Sequence, residues 1–527
     1  MVDISMPEVI HEVVSGLDRA MDRFSPTIAV YEEGRVHSVH DGVARVSGLS
    51  SVGMDELVYL GDREPGMVLG LDRDFAYVAL LGMAGRIGEG TRVRATGHGV
   101  SLPVGSALHG RVIDALGRPL DDEPLLALPS HVPHFRPAPQ IYERAAIRRP
   151  LYTGILAIDA MFPIGRGQRE LILGDDGTGK TSIALDVLIR QKNTGVVGVY
   201  VAIGRRRSEV SRVAEQLKTL GGDFVIVAAP EDTSVGLRYL APYAGCAVAE
   251  YFMDRGRDAL VVYDDLTAHA IAWRELSLLM RRPPGREAYP GDIFYQHSRL
   301  LERATQLSTE RGGGSLTALP LARLESGRLS AYIPTNLISI ADGQVVLSQP
   351  LFASGQKPAI DAGLSVSRVG GKAQPQAVAG FARRLRLDFA AFLEFESFAR
   401  LGAQLDAGAE RRMSWGRRVR TLLRAPRLRP YSLFDEVVRL ALAADPDSLL
   451  TLPETGLGEH VEALCTRVSA ELSQLRQRVE QHAILPDGDR RLLLTTIQRV
   501  IANASASVNT AADSLVGVEA QLPQAGV

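Results

Sequence analysis

Between residues 7 and 24, Val9, Ile10, Val13, Val14, Leu17, Met21 and Phe24 recur at three- and four-residue spacing, which predicts an amphipathic helix opened by Ser5 and Pro7. From Ala29 to about Ala95 the pattern shortens to β-rich runs (Arg35 to Val46, Glu56 to Tyr59, Met67 to Leu71, Phe75 to Leu81 and Thr91 to Ala95) divided by Gly and Asp turns. That spacing predicts a small β-barrel, with His37 and His40 as ordinary strand residues because no third metal ligand accompanies them. Pro124, Pro129, Pro133, Pro137 and Pro139 make residues 124–140 an extended crossing segment. Apolar strands then alternate with helices. Leu171 to Leu173, Val196 to Ala202, Phe224 to Ala228 and Ala259 to Tyr263 read as strands, and Ser182 to Arg190 and Ser208 to Leu220 as helices, the order of a parallel sheet covered by helices. Beyond about Ala379 only helical periodicity remains, over Phe381 to Leu401, Ser414 to Leu423, Leu433 to Ala444, Leu457 to His482 and Arg490 to Ala504. The expected organisation is an N-terminal helix (1–25), a β-barrel (26–95), an α/β domain (96–378), a helical domain (379–505) and a disordered tail (506–527).

One stretch in the α/β region carries chemistry. Leu171 to Ser182 reads LILGDDGTGKTS, placing Gly174, Gly179, Lys180 and Thr181 on G-x-x-x-x-G-K-[ST] between a strand and a helix. Glycines let backbone N–H groups turn inward on phosphate oxygens, and the helix N-terminus adds partial positive charge. Gly174, Asp175, Asp176, Gly177, Thr178, Gly179, Lys180 and Thr181 are therefore expected to cradle the phosphates of ATP or ADP, with Lys180 on the terminal phosphates. The Thr181 hydroxyl and, through water, Asp264 at the end of the strand Ala259 to Tyr263 are the expected Mg²⁺ ligands.

Composition narrows the classes. The 527 residues are 46% hydrophobic with a formal charge of −2, so no overall basic field points to nucleic acid. Cys246 and Cys465 lie far apart without metal-ligand spacing and read as small buried hydrophobes. No apolar run reaches about 18 residues and the opening MVDISMPEVI has no leader pattern, so membrane association is expected only through partners.

Read together, PIGRGQREL (Pro163 to Leu171), RRPPGREAYPGDIFYQHSRLLERA (Arg281 to Ala304), GGGSLTALP (Gly312 to Pro320), AYIPTNLISIADGQ (Ala331 to Gln344) and GLSVSRVG (Gly363 to Gly370) resemble the alpha subunit of the F-type ATP synthase F1 head. The resemblance runs from residue 26 to about 445 and is much weaker beyond. It implies a β-barrel crown, a RecA-like α/β P-loop nucleotide-binding domain and a C-terminal α-helical bundle. It further implies a ring of three alpha and three beta subunits around a gamma subunit. Delta and b stalk subunits would be met through the N-terminal region, and the membrane only through the Fo sector, at the cytoplasmic face of the cell inner membrane. ATP would be made from ADP and phosphate with a transmembrane ion gradient, by catalysis borne mainly on beta.

Catalytic relatives in that family carry Gly-Glu after the strand following the P-loop, and the carboxylate orients the attacking water. Here the matching run is Val201-Ala202-Ile203-Gly204-Arg205. A guanidinium accepts no hydrogen bond and is no base, so this chain's own site is expected to be non-hydrolytic. Arg368 matches the arginine that the family sends to the beta subunit's nucleotide, and Ser365 is expected to act with it, both in trans. Two departures mark a divergent form from a second synthase set: Asp176-Gly177 stands where alpha subunits usually carry Arg-Gln, and Ala425-Pro426-Arg427 stands where two glutamines usually flank the adenine. The alternatives are a stand-alone hexameric motor, either a nucleic-acid translocase or a secretion ATPase. The first would need stacking aromatics, which are 6% here, and both would need their own catalytic carboxylate.

Overall fold

A computed structural model of the chain describes residues 31–82, 85, 87–124, 128–399 and 407–519. The helix expected over residues 7 to 24 lies outside the described residues.

Six antiparallel strands, β1 (Glu33–His40), β2 (Val43–Ser47), β3 (Glu56–Leu60), β4 (Glu64–Leu71), β5 (Ala76–Leu80) and β6 (Arg92–Gly99), close a barrel in the order β1-β2-β5-β4-β3-β6. Alternation along the strands sends Val36, Val46, Val58, Leu60, Val68, Val78 and Val93 into its interior. The run Arg35 to Val46, expected as one strand, is a hairpin. Asp41 (φ 43°) and Gly42 (φ 91°) form a two-residue turn with both φ positive, whose twist matches that of the flanking strands.

The central sheet is built from β7 (Val112–Ile113), β8 (Glu170–Gly174), β9 (Val196–Ile203), β10 (Phe224–Ala229), β11 (Asp258–Asp264), β12 (Ser315–Arg323), β13 (Gly343–Val346) and β14 (Val366–Ser367), in the order β14-β13-β8-β12-β11-β9-β10-β7. Its neighbours pair in parallel except at the β14 edge and at the short strand Thr305–Gln306, which runs antiparallel against β12. A parallel sheet is covered on both faces, so its strands read as unbroken apolar runs, and all eight residues of β9 are buried. Ile172, Tyr200, Ile226 and Leu260 face the side of α1 (Lys180–Arg190) and α2 (Arg207–Leu220). Leu171, Val199, Val225 and Val261 face the side of α3 (Val235–Met253) and α4 (Leu266–Leu279).

Helical periodicity does not reveal α3, because 17 of its 19 residues are buried and it has no polar face to set a period. It lies so close to the sheet that a Cβ on Gly245 would fall 2.2 Å from Val201 Cγ2.

The C-terminal region is helical: α5 (Gln376–Ala399), α6 (Ala407–Leu422), α7 (Leu433–Ala443), α8 (Leu457–Glu471), α9 (Ser473–His482) and α10 (Asp487–Glu519), with a short helix, Pro446–Thr451, between α7 and α8. Their core is continuous with the nucleotide domain. Phe381, Phe392, Phe434 and Val437 join one apolar cluster with Ile158, Met161 and Phe162. The single helix expected over Leu457 to His482 breaks at Leu472 (φ −105°, ψ 40°). The last helix runs to Glu519, well into the stretch expected as disordered from residue 506, since the alanines there favour helix more than their small size suggested.

A buried ion pair ties the proline-rich crossing segment to α3. Arg303 and Glu250 are each 1% exposed, with Nε donating to Oε1 at 2.8 Å and Nη2 to Oε2 at 2.6 Å, while Nη1 donates to the carbonyl of His134 at 2.7 Å. Removing one partner of such a pair leaves an uncompensated buried charge, which costs about 3–5 kcal/mol. Arg303→Ala is therefore expected to lower the denaturation midpoint in urea sharply, whereas a change at the exposed Arg328 is expected to leave it nearly unchanged.

Candidate nucleotide site

The β8–α1 turn forms the cradle that the motif predicts. Gly177 (φ 78°) and Gly179 (φ 102°) hold left-handed backbone conformations that side chains disfavour, and a Cβ at either would meet open space, so the loop demands glycine for its backbone alone. Thr178 Oγ1 donates to the Asp175 carbonyl at 2.7 Å, bracing the turn, and Asp175 Oδ1 accepts from the Gly327 amide at 3.1 Å. Lys180 is 5% exposed. Its Nζ donates to the carbonyls of Gly174 (2.7 Å) and Asp175 (2.8 Å), so the ammonium is held over the loop that a phosphate would enter. Burial lowers its pKa against the opposing pull of Asp265, Asp176 and Asp264.

Asp264 ends β11 and is fully buried. Its Oδ2 accepts from Thr181 Oγ1 and from the Tyr200 hydroxyl, each at 2.7 Å, and its Oδ1 pairs with Arg205 Nη2. The two expected metal ligands thus meet, and a third residue that the sequence assigned only a negative role joins them. Arg205 also lies 3.5 Å from Asp265 Oδ2, the oxygen that Arg323 Nε holds at 3.0 Å. Burial works against the Arg205 charge, but Asp264 and Asp265 outweigh it and raise its pKa above the ordinary value.

A cavity of about 260 Å³ opens over these groups, lined on the phosphate side by Asp176, Gly177, Gly179, Lys180, Thr181 and Arg205. Its far side is made by Leu185, Val210, Val213 and Arg427. Glu209, Arg212 and Gln216 also line it, and sequence reasoning passed over them. The signal was present, since positions 209, 212, 213 and 216 share one face of the helix already expected there. Asp176 faces the cavity with its side chain 75% exposed, and lies 3.9 Å from both Lys180 and Arg323, which offset its charge. On the base side Arg427 reaches the cavity, whereas the Ala425 amide is spent on the Lys357 carbonyl.

The donor set fits a nucleotide: a glycine cradle, a helix N-terminus, a buried lysine and an apolar slot. It does not fit Mg²⁺ as the residues stand. The Arg205 guanidinium already occupies Asp264 Oδ1 and sets a fixed positive charge where a divalent cation would need the carboxylate free.

The other expected residues lie elsewhere. Arg368 follows β14 at the edge of the sheet and is exposed, with Nη1 donating to the Ala341 carbonyl at 3.2 Å and its amide to the Asp342 carbonyl at 2.9 Å. It lines a separate depression with Arg144, Arg169, Asp342 and Lys372. Ser365 is 1% exposed. Its hydroxyl donates to the Asp361 carbonyl at 2.6 Å and accepts from the Val346 amide at 3.0 Å, which places it as a brace for the segment carrying Arg368. Glu170 lies near the same segment, fully buried and held by Gln168 Nε2 at 2.6 Å. Burial raises its pKa well above the carboxylate range, and Arg368 opposes the rise.

Comparison with known proteins places this geometry. Residues 154–367 match the nucleotide-binding domain of the ATP synthase alpha/beta family, and residues 374–500 match the C-terminal domain of the ATP synthase alpha/beta chain. The second match carries the likeness beyond residue 445, to residue 500. The chain is 50% identical over 502 residues to "ATP synthase subunit alpha 3" of Paraburkholderia xenovorans, covering 93% of each chain. It is 47% identical over 498 residues to "ATP synthase subunit alpha 2" of Syntrophotalea carbinolica, covering 94% of this chain and 95% of the relative. Against "ATP synthase subunit alpha 1" of a Marinomonas species the identity is 46% over 503 residues, covering 95% and 98%.

A pH dependence follows from α1. Asp186 Oδ1 accepts from the Leu428 amide at 2.7 Å, pinning the loop that carries Arg427, and burial pushes its pKa up to about 6. A folded-state pKa above the unfolded one gives a contribution to stability that is complete below about pH 4 and lost as pH rises through about 6. Asp186→Asn keeps an acceptor for Leu428 without the titration. The urea midpoint of the native chain is thus expected to fall relative to that of the variant between about pH 5 and about pH 8.

Proposed function

The chain belongs to the ATP synthase alpha/beta family, and we propose that it serves as the alpha subunit of an F1 head that makes ATP from ADP and phosphate with a transmembrane ion gradient. It is part of an ATPase and translocase complex, and ATP or ADP is the ligand of its cradle. The observation that carries the non-catalytic reading is Arg205. At the end of β9, where hydrolysis needs an acceptor for the attacking water, the chain presents a guanidinium already committed to Asp264. A stand-alone motor of the same sheet architecture would need that acceptor in its own site, and is not favoured.

Finer features are our reading of the family likeness. Arg368 is assigned to a nucleotide on a neighbouring beta subunit, a role supported by its exposure at the sheet edge and by its absence from the lining of this chain's own cavity. Ser365 fixes the register of the segment that delivers it. Three such chains would alternate with three beta subunits around gamma, and residues 1–25 would meet the delta and b stalk subunits. The head would sit peripherally at the cytoplasmic face of the inner membrane. Among the described residues no helix is long and apolar enough to cross a membrane, which is consistent with attachment through the Fo sector. On the base side, Arg427 over an apolar slot supplies no paired amides, so the cradle is expected to discriminate weakly between ATP and GTP.

The test uses the assembled complex. The purified chain alone is expected to hydrolyse ATP at background rate. Reconstituted with its beta and gamma partners, the complex is expected to lose most of its multisite turnover on Arg368→Lys, by a factor on the order of 10³ or more, while still assembling. Lysine keeps the charge and loses the planar fork. Robust turnover by the lone chain, or unchanged turnover by the Arg368→Lys complex, would sink the reading.

A further inference from the structure

We propose that this cradle takes a nucleoside di- or triphosphate without Mg²⁺, the Arg205 guanidinium standing as the fixed cation beside Lys180. The inference rests on the nucleotide-binding reading above and deepens it. Three observations carry it. The carboxylate that would hold the waters of a bound Mg²⁺ is Asp264, fully buried, and its Oδ1 is paired with Arg205 while Thr181 and Tyr200 both donate to its Oδ2. Arg205 is positioned from two sides, since Asp265 lies 3.5 Å from the same nitrogen and is itself held by Arg323. Finally, Arg205 lines the cavity with its side chain 24% exposed, and a guanidinium has five donors to place, so the group has bonding capacity left for an incoming anion.

Charge balance points the same way. The cavity is lined by four cations, Lys180, Arg205, Arg212 and Arg427, against the three acids Asp176, Glu209 and Asp264. A polyphosphate entering with a bound Mg²⁺ brings less negative charge to this surplus and forces the guanidinium off Asp264. A polyphosphate entering alone meets fixed positive charge that is already in place and already desolvated. A permanent arginine also has no coordination sphere to assemble, so the nucleotide is held without the metal that hydrolytic chemistry would require.

The experiment is titration calorimetry of ADP into the full-length chain, in EDTA and in excess Mg²⁺, followed by electron paramagnetic resonance of Mn²⁺ retained on the gel-filtered ADP complex. The dissociation constant is expected to change by less than about threefold between the two conditions, with far less than one Mn²⁺ retained per chain. Arg205→Gln, which clears the cation from Asp264, is expected to bind ADP at least about tenfold more tightly with Mg²⁺ than without it, and to retain Mn²⁺. A native chain whose affinity rises tenfold or more with Mg²⁺, that retains one Mn²⁺, or that binds no ADP in either condition overturns the proposal. The first two results need no variant to fold. They leave the alpha-subunit reading standing wherever turnover of the assembled complex still depends on Arg368, whereas loss of that dependence with metal-indifferent ADP binding intact strikes the function and spares this inference.

Discussion

A single buried carboxylate, Asp264, sets the terms for everything around it. An ionised carboxylate removed from water is tolerated only when charges and donors surround it, and the fold assembles them from two elements. The cradle helix contributes Thr181, and the strand next to β11 contributes Tyr200 and, one turn past its end, Arg205. The result couples the phosphate cradle to the middle of the sheet. It also joins the acid at the end of β11 to Arg205, a guanidinium that donates to Asp264 and has no acceptor to offer a water.

This arrangement divides the chain's two chemical assets between opposite regions of one sheet. The cradle lies on β8 and its following helix, under cover of α2 and the loop carrying Arg427. Arg368 lies past the edge strand β14, exposed, with its backbone pinned to Asp342 and with Ser365 and Ser367 buried or half-buried behind it. A side chain that acts in trans must be presented by rigid backbone, because a guanidinium displaced by an ångström loses its alignment with the phosphoryl oxygens. Ser365 braces the segment through one hydrogen bond within it, to the Asp361 carbonyl, and one to the Val346 amide of β13, and Ser367 Oγ adds a third to the carbonyl of Pro163 at 2.9 Å. The nucleotide domain and the helical domain share one apolar core, so the loop that carries Arg427 is carried by the same body as the cradle.

Much of this was legible along the chain because it depends on local order. The glycine-rich turn, the strand before it, the helix after it and the acid at the end of β11 are each set by a few consecutive residues, and all four are found where the sequence places them. That position 205 holds a guanidinium, which accepts no hydrogen bond, is a statement about one side chain, and it too needs no coordinates. The misreadings share a cause. Apolar alternation resumes across the turn at Asp41-Gly42, so the hairpin reads as one strand, and α3, a helix buried on every side, has no period to detect.

Tertiary structure decided the rest, and the physical reason is distance along the chain. Arg205 and Asp264 are 59 residues apart, so nothing in the sequence told that this arginine caps the acid at the end of β11. Ser365 reads from its motif as a partner in catalysis, and only the packing of the segment shows its hydroxyl enclosed and bonded. Glu209, Arg212 and Gln216 share a helix face legible in their spacing, and only the packed sheet shows that this face lines the cavity. The types of side chain available at each position are legible along the chain, glycine cradle, lysine and arginines included. Which side chains compensate one another, and which face a ligand or a neighbour, followed only from the sheet that brings remote strand ends together.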